Sequence, residues 1–169
     1  MITLSFMRHA NSNWNEYDAI DFNRPISKKG IKKTKIISKY LEILKIKFDL
    51  IFCSPSKRTK QTLKYLLDRS SFNNVEVIED KLLYDGNEEN FLFKISKVKN
   101  YKNILVITHE PQILFFANYF LGHKENNSDI INIKFVTSSI LILEFKVNKW
   151  SDISDLNASL KHFIDPNEI

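Results

Sequence analysis

Strand-like and helix-like segments alternate along most of the chain, and this alternation constrains the fold more than any other feature. Residues 2–7, 49–53 and 103–108 are short, nearly continuous apolar runs, the pattern of strands buried on both faces. Between the first two, residues 28–46 carry Ile31, Ile36, Ile37, Tyr40, Leu41 and Leu44 as a helical stripe behind a candidate N-cap at Ser27. Ser54-Pro55 reads as a cap followed by a first-turn proline, opening a helix to about residue 68 that buries Leu63, Leu66 and Leu67. Further strands are expected over residues 75–78, 133–136 and 139–147, and further helices over 90–98, 111–121 and 156–163. Residues 122–132 are polar and read as a loop. The pattern predicts a layered α/β domain with a largely parallel central sheet, one unit spanning residues 1–169.

Composition narrows the class. With 43% hydrophobic residues the chain can build a core, which excludes a disordered polymer. Its single cysteine, Cys53, excludes a disulfide scaffold or a cysteine-rich zinc module and fits a reducing compartment. No apolar run approaches the ~18–20 residues of a membrane helix, and no basic segment precedes the apolar start. A cytoplasmic protein that does not engage membranes is expected. The net charge of +5 comes mostly from scattered lysines, which supply 21 of 25 basic residues and read as a solvated surface. The four arginines, at 8, 24, 58 and 69, are more telling. A guanidinium offers a planar fork for phosphate or carboxylate that lysine cannot reproduce.

In parallel α/β sheets ligands bind at the carboxyl ends of the strands. Three segments occupy such positions here: Met7-Arg8-His9, Cys53-Ser54-Pro55-Ser56-Lys57-Arg58 and Thr108-His109-Glu110-Pro111. If their strands are neighbours, Arg8, His9, Arg58 and His109 converge on one mouth. Such a set describes a phosphate pocket with a nucleophile, because a neutral imidazole attacks while guanidinium groups neutralise the transferring phosphoryl. Helices opening near Pro55 and Pro111 would add positive dipole ends.

These same residues carry a family resemblance. Arg8-His9-Ala10, Arg24-Pro25-Ile26-Ser27 with Gly30, Ser54-Pro55-Ser56-Lys57-Arg58 with Gln61-Thr62, and the segment from Leu105 to Pro111 resemble the motifs of the histidine phosphatase superfamily. Thr137-Ser138-Ser139, Leu143-Glu144-Phe145 and Trp150 resemble the carboxyl end of its SixA-type phosphohistidine phosphatases. The match runs in order over nearly the whole chain. It implies a phosphoglycerate-mutase-like, three-layer α/β/α sandwich with a mostly parallel sheet. It also implies His9 as the nucleophile that becomes phosphohistidine, Arg8 and Arg58 as phosphoryl ligands, and His109 as a contact to the same group. Water would complete the hydrolysis with no metal and no cofactor, and phosphate or another oxyanion would occupy the site. Arg24 either lines the pocket or braces its loop.

Larger members of the superfamily carry a carboxylate that protonates the leaving alcohol, which SixA-type members lack. Asp85 and Glu88 are the candidates for a general acid here, weighed against a reading as solvated loop carboxylates. Without such an acid, a phosphohistidine on a partner protein suits the site, since imidazole leaves far more readily than an alkoxide. The alternatives are a phosphatase of a small phosphoester or nucleotide that uses Asp85 or Glu88, and a non-catalytic phosphate- or nucleic-acid-binding protein. No nucleic-acid-binding motif accompanies the charge. His123 and His162 read as surface residues, Cys53 as a buried small side chain, and Phe115, Phe116, Tyr119 and Phe120 as helix core.

Overall fold

Six strands form one sheet: β1 (Ile2–Arg8), β2 (Leu50–Cys53), β3 (Glu76–Glu79), β4 (Asn103–Thr108), β5 (Ile140–Phe145) and β6 (Ala158–Ile164). The computed structural model describes residues 1–15, 20–69, 72, 75–122 and 134–169. The sheet order is β3-β2-β4-β1-β5-β6. The first four strands of that order are parallel, and β5 and β6 run antiparallel at the far side. Five α-helices accompany them among the described residues: α1 (Lys28–Ile43), α2 (Lys57–Leu66), α3 (Leu82–Asp85), α4 (Glu88–Ser96) and α5 (Gln112–Leu121).

The side-chain period of two sorts the strands onto two faces. Leu4, Phe6, Phe52, Ile104 and Val106 pack with Phe91 and Ile95 of α4 and with Ile113, Phe116 and Phe120 of α5. On the other face Met7, Ile51, Cys53, Leu105 and Ile107 pack with Ile37 and Leu41 of α1 and Leu66 of α2. Helices therefore cover both faces, which is why β2 is apolar throughout and β4 is apolar from Ile104 to Ile107. Phe6 stacks on Phe116 at 4.8 Å and Phe52 meets Phe91 edge-on at 5.4 Å. Each such buried side chain contributes roughly 1.5–3 kcal/mol.

The structure corrects the sequence reading at four places. The helix expected over residues 156–163 gives way to β6, which runs from Ala158 to Ile164. Apolar residues at 156, 160, 163 and 164 mimic a helical stripe, yet the free edge of β5 captures the segment, with a register shift at Ile142/Leu143. Residues 134–136 belong to no strand. They cross the end of β1, where the Phe135 carbonyl accepts a hydrogen bond from Arg8 Nη1. The helix after β2 is capped by Ser56 rather than Ser54, because Ser54 still belongs to the sheet, donating its N–H to the Ile107 carbonyl at 3.0 Å. Of the four aromatics on α5, Phe116 and Phe120 are buried, whereas Phe115 and Tyr119 face outward, one step around the helix. The expected loop at 122–132 lies, after Gly122, outside the described residues.

Candidate active site

Sheet register assembles the site. Arg8 of β1 lies opposite Thr108 of β4, and Cys53 of β2 lies opposite Ile107. The ladders continue one residue further, with His9 N–H donating to the Thr108 carbonyl at 3.0 Å. His9, Ser54 and His109 thus follow three adjacent parallel strands at their carboxyl ends. The rings of His9 and His109 stand 5.1 Å apart.

Both imidazoles are buried, each 8% exposed. His9 Nδ1 donates to the Ala10 carbonyl at 2.7 Å, a bond that only a protonated Nδ1 can make. In the neutral ring the lone pair therefore sits on Nε2. Burial lowers the His9 pKa to about 3, and the charges of Arg58, Arg8 and Arg24 add to the effect against the pull of the Ala10 carbonyl. Burial also takes His109 to about 3, helped by His9 and Arg58. Both rings are neutral at pH 7, the form in which imidazole is a nucleophile.

Guanidinium groups surround them. Arg58 is 5% exposed and points Nη1 at the Asp21 carbonyl, 2.7 Å, and Nη2 at Asp21 Oδ2, 2.9 Å. Arg24 is equally buried and reaches the other carboxylate oxygen of Asp21 with Nη2 at 2.8 Å, while Trp14 lies 3.7 Å over its plane. Burial pulls the Asp21 carboxyl upward, but hydrogen bonds and charge from Arg24 and Arg58 hold it below its ordinary value. Arg8 pairs with Glu110 at 3.2 Å. Arg8 Nε, Arg58 Nε and His109 Nδ1 are buried with no hydrogen-bond partner among the described residues. Three polar N–H or ring-nitrogen positions without partners, beside a neutral imidazole with a free Nε2, can receive a phosphoryl group.

The remaining motif residues hold this arrangement. Thr62 Oγ1 accepts from the Ala10 N–H at 2.9 Å, and Gln61 Oε1 accepts from the Ile26 N–H at 2.8 Å, tying α2 to both loops. Gly30 lets α1 approach the loop after β1, since a Cβ there would stand 2.5 Å from the Asn11 carbonyl oxygen.

Of the residues expected at the site, Arg8, His9, Arg58 and His109 come together, and Arg24 both lines the cluster and braces the loop through Asp21. Asp85 is exposed at the end of α3 and Glu88 half-buried at the start of α4. Among the described contacts neither touches those residues. Tyr84, beside Asp85, packs edge-on against His109 at 5.7 Å. His162 lies in β6 opposite Ile142, away from the cluster, and His123 falls outside the described residues. Cys53 is fully buried, and burial pushes its thiol up to about 12, so it is no nucleophile. No group of three or more His, Cys, Asp or Glu side chains at metal-binding spacing occurs among the described residues. No helix among them is long and apolar enough to cross a membrane. A shallow groove of about 770 Å³ between the 96–101 and 148–151 segments lies at the opposite end of the sheet. Sequence reasoning missed Asp21, Ser54, Tyr84 and Glu110 as site residues. Ser54 and Glu110 carried a signal, both lying within the strand-end segments.

Two buried neutral histidines leave a mark on stability. Their folded pKa values lie below the unfolded value near 6.5, so the unfolded chain binds more protons between the two. Stability should fall as pH drops from about 6.5 toward 3. Urea midpoints across that range test this, and His109→Gln should flatten the slope.

With this geometry in view, the similarity to known proteins can be placed. The model of the histidine phosphatase superfamily (branch 1) matches residues 4–87. Rv1276c, an uncharacterized protein of Mycobacterium tuberculosis, is 27% identical over 164 residues, covering 95% of this chain and 99% of its own. Among solved structures, a protein assigned as the phosphohistidine phosphatase SixA of Agrobacterium tumefaciens aligns with a TM-score of 0.80 at 20% identity over 98% of each chain. The protein histidine phosphatase SixA complexed with tungstate aligns at 0.75 and 17% identity over 99% of each. The family match spans the segments bearing Arg8, His9 and Arg58, which the fold draws into one mouth: residues 4–87 of the chain are similar to the histidine phosphatase superfamily.

Proposed function

We propose that the protein is a phosphohistidine phosphatase acting on a partner protein, such as a phosphotransfer domain or phosphocarrier. His9 Nε2 attacks phosphorus, the phosphorus–nitrogen bond of the substrate breaks, and the imidazole leaves with the proton on its other nitrogen. Water then attacks the phosphohistidine formed on His9 and releases inorganic phosphate. Arg8 and Arg58 neutralise the phosphoryl oxygens, Arg24 supports Arg58 through Asp21, and His109 contacts the same group. The tungstate held by a SixA protein is consistent with an oxyanion in this mouth.

One observation carries the choice of substrate class. Asp21, the carboxylate that bridges Arg24 and Arg58, is held ionised by both, so it is a poor proton donor at pH 7. Glu110 is likewise engaged, by Arg8. A leaving group that needs no enzymatic proton suits such a site, and phosphohistidine supplies one. The rim supports a protein substrate, because Trp14 is 64% and Ile20 55% exposed beside the arginine cluster. Exposed apolar side chains around an anion site fit another protein's surface. Three of the four arginines gather at this mouth, whereas the lysines are dispersed, which argues for phosphoryl recognition over nucleic-acid binding.

A small-phosphoester phosphatase is the second reading, favoured by the position of Asp85 directly after Tyr84, whose ring packs on His109. The double variant D85N/E88Q separates the two. Hydrolysis of a phosphohistidine protein should stay within a few-fold of wild type, in a parent with little activity on alkyl phosphates. General-acid help is worth about 10²–10⁴-fold. A parent that hydrolyses alkyl phosphates well and loses about 10²-fold or more in the variant would establish the second reading instead.

A further inference from the structure

We infer that Ser54 is a positioning residue that decides which nitrogen of His109 carries the proton, making His109 a fixed hydrogen-bond donor to the phosphoryl group. The inference rests on the phosphatase reading of the site. Its basis is a count of protons. Ser54 is fully buried, so no solvent reaches its hydroxyl. Among the described residues Ser54 Oγ has one partner, His109 Nε2, at 2.8 Å. Its backbone carbonyl, by contrast, already accepts from Thr59 Oγ1 at 2.6 Å. A buried hydroxyl has one proton to place, and leaving it without an acceptor costs about 1–3 kcal/mol. If Nε2–H donated to Ser54 Oγ, the hydroxyl proton would have nowhere to go. The hydroxyl must donate, Nε2 must accept, and the ring proton of neutral His109 then sits on Nδ1.

Nδ1 is the nitrogen that is buried without a partner among the described residues, in a ring 5.1 Å from that of His9. A phosphoryl oxygen arriving at His9 supplies the missing acceptor. The two histidines thus take opposite roles from their neighbours. The Ala10 carbonyl holds the proton of His9 on Nδ1 and frees Nε2 to attack. The Ser54 hydroxyl blocks Nε2 of His109 and leaves Nδ1–H to donate. His109 in this state offers no lone pair to abstract a proton from water, so its contribution is electrostatic. This also explains why Ser54 does not cap α2: its hydroxyl is engaged across the strand ends.

Two-bond ¹H–¹⁵N correlation spectra of the ¹⁵N-labelled protein at pH 7 read the tautomer directly, with His109 assigned from its loss in His109→Gln. The expected pattern is a protonated Nδ1 and an unprotonated Nε2. In Ser54→Ala the pattern should shift toward a mixture of tautomers, and kcat on a phosphohistidine protein should fall about tenfold, the worth of one weakened hydrogen bond. Ser54→Thr, which keeps the hydroxyl, should restore both. An Nε2–H tautomer or an imidazolium in active wild type overturns the inference, as does a Ser54→Ala spectrum unchanged from wild type. The wild-type spectrum decides the proton's position even if Ser54→Ala fails to fold. Wild type that keeps the Nδ1–H tautomer yet hydrolyses no phosphohistidine protein would instead overturn the phosphatase reading, and with it the donor role.

Discussion

His9→Ala is expected to abolish turnover while leaving the fold in place. The side chain stands just past the end of β1, outside both apolar clusters, and its one hydrogen bond is to the adjacent Ala10 carbonyl. Removing it takes little from the core. It takes everything from a reaction that passes through a bond to Nε2, so the loss should be on the order of 10⁴-fold or more. Rapid acid-free quenching with a ³²P-phosphohistidine protein should trap acid-labile label on the wild type and none on the variant. Label retained on His9→Ala would move the covalent step to another residue. Thermal midpoints of the two proteins, within a few degrees of each other, would confirm that chemistry rather than folding was lost.

Much of this site could be read from the chain before any coordinates, for a definite physical reason. Arg8-His9 and His109 follow apolar runs that can only be buried strands, and parallel strands put the residues after them on one edge. Arg58 was legible because it lies on the first turn of the helix leaving the neighbouring strand. Asp21 was not. It sits in a polar stretch with no period of its own, and its position is decided by two guanidinium groups remote in sequence or across a turn. Ser54 was misassigned because a serine before proline satisfies the local rule for a helix cap. A tertiary partner, His109, claimed the hydroxyl instead. Residues 134–136 failed similarly, since their backbone anchors Arg8 rather than pairing in a ladder. The strand at 158–164 was lost to a coincidence of spacing that only the open edge of β5 resolves. Local pattern therefore located the groups that end strands, while the groups that orient them depend on contacts no local pattern records.

Arg58→Lys should be nearly as damaging as a loss of charge, although the charge is kept. Arg58 makes two commitments at once, Nη1 to the Asp21 carbonyl and Nη2 to the Asp21 carboxylate, and its buried Nε has no hydrogen-bond partner among the described residues. A lysine ammonium is one nitrogen on a flexible stem and cannot span the carbonyl, the carboxylate and a phosphoryl oxygen together. It must either stay with Asp21, withdrawing from substrate, or reach for the phosphoryl and leave the Asp21 carboxylate to Arg24 alone. Asp21 sharpens the dilemma, because an anion fixed beside the pocket repels a phosphoryl group that the guanidinium fork would otherwise shield. The expected loss in kcat/KM is about 10²–10³-fold, the scale of removing a preorganised donor from a phosphoryl or oxyanion site. Arg69→Lys is the matched comparison. That side chain pairs with Glu42, its Nε at 2.6 Å, and both partners are over a third exposed or close to it, at 39% and 34%. An exposed pair of this kind is worth about 0–1 kcal/mol, and it lies outside the mouth, so activity should remain within twofold. Steady-state kinetics on the two variants decide the matter: equal losses would mean that position 58 contributes only charge, and the fork would have no part in holding the phosphoryl group.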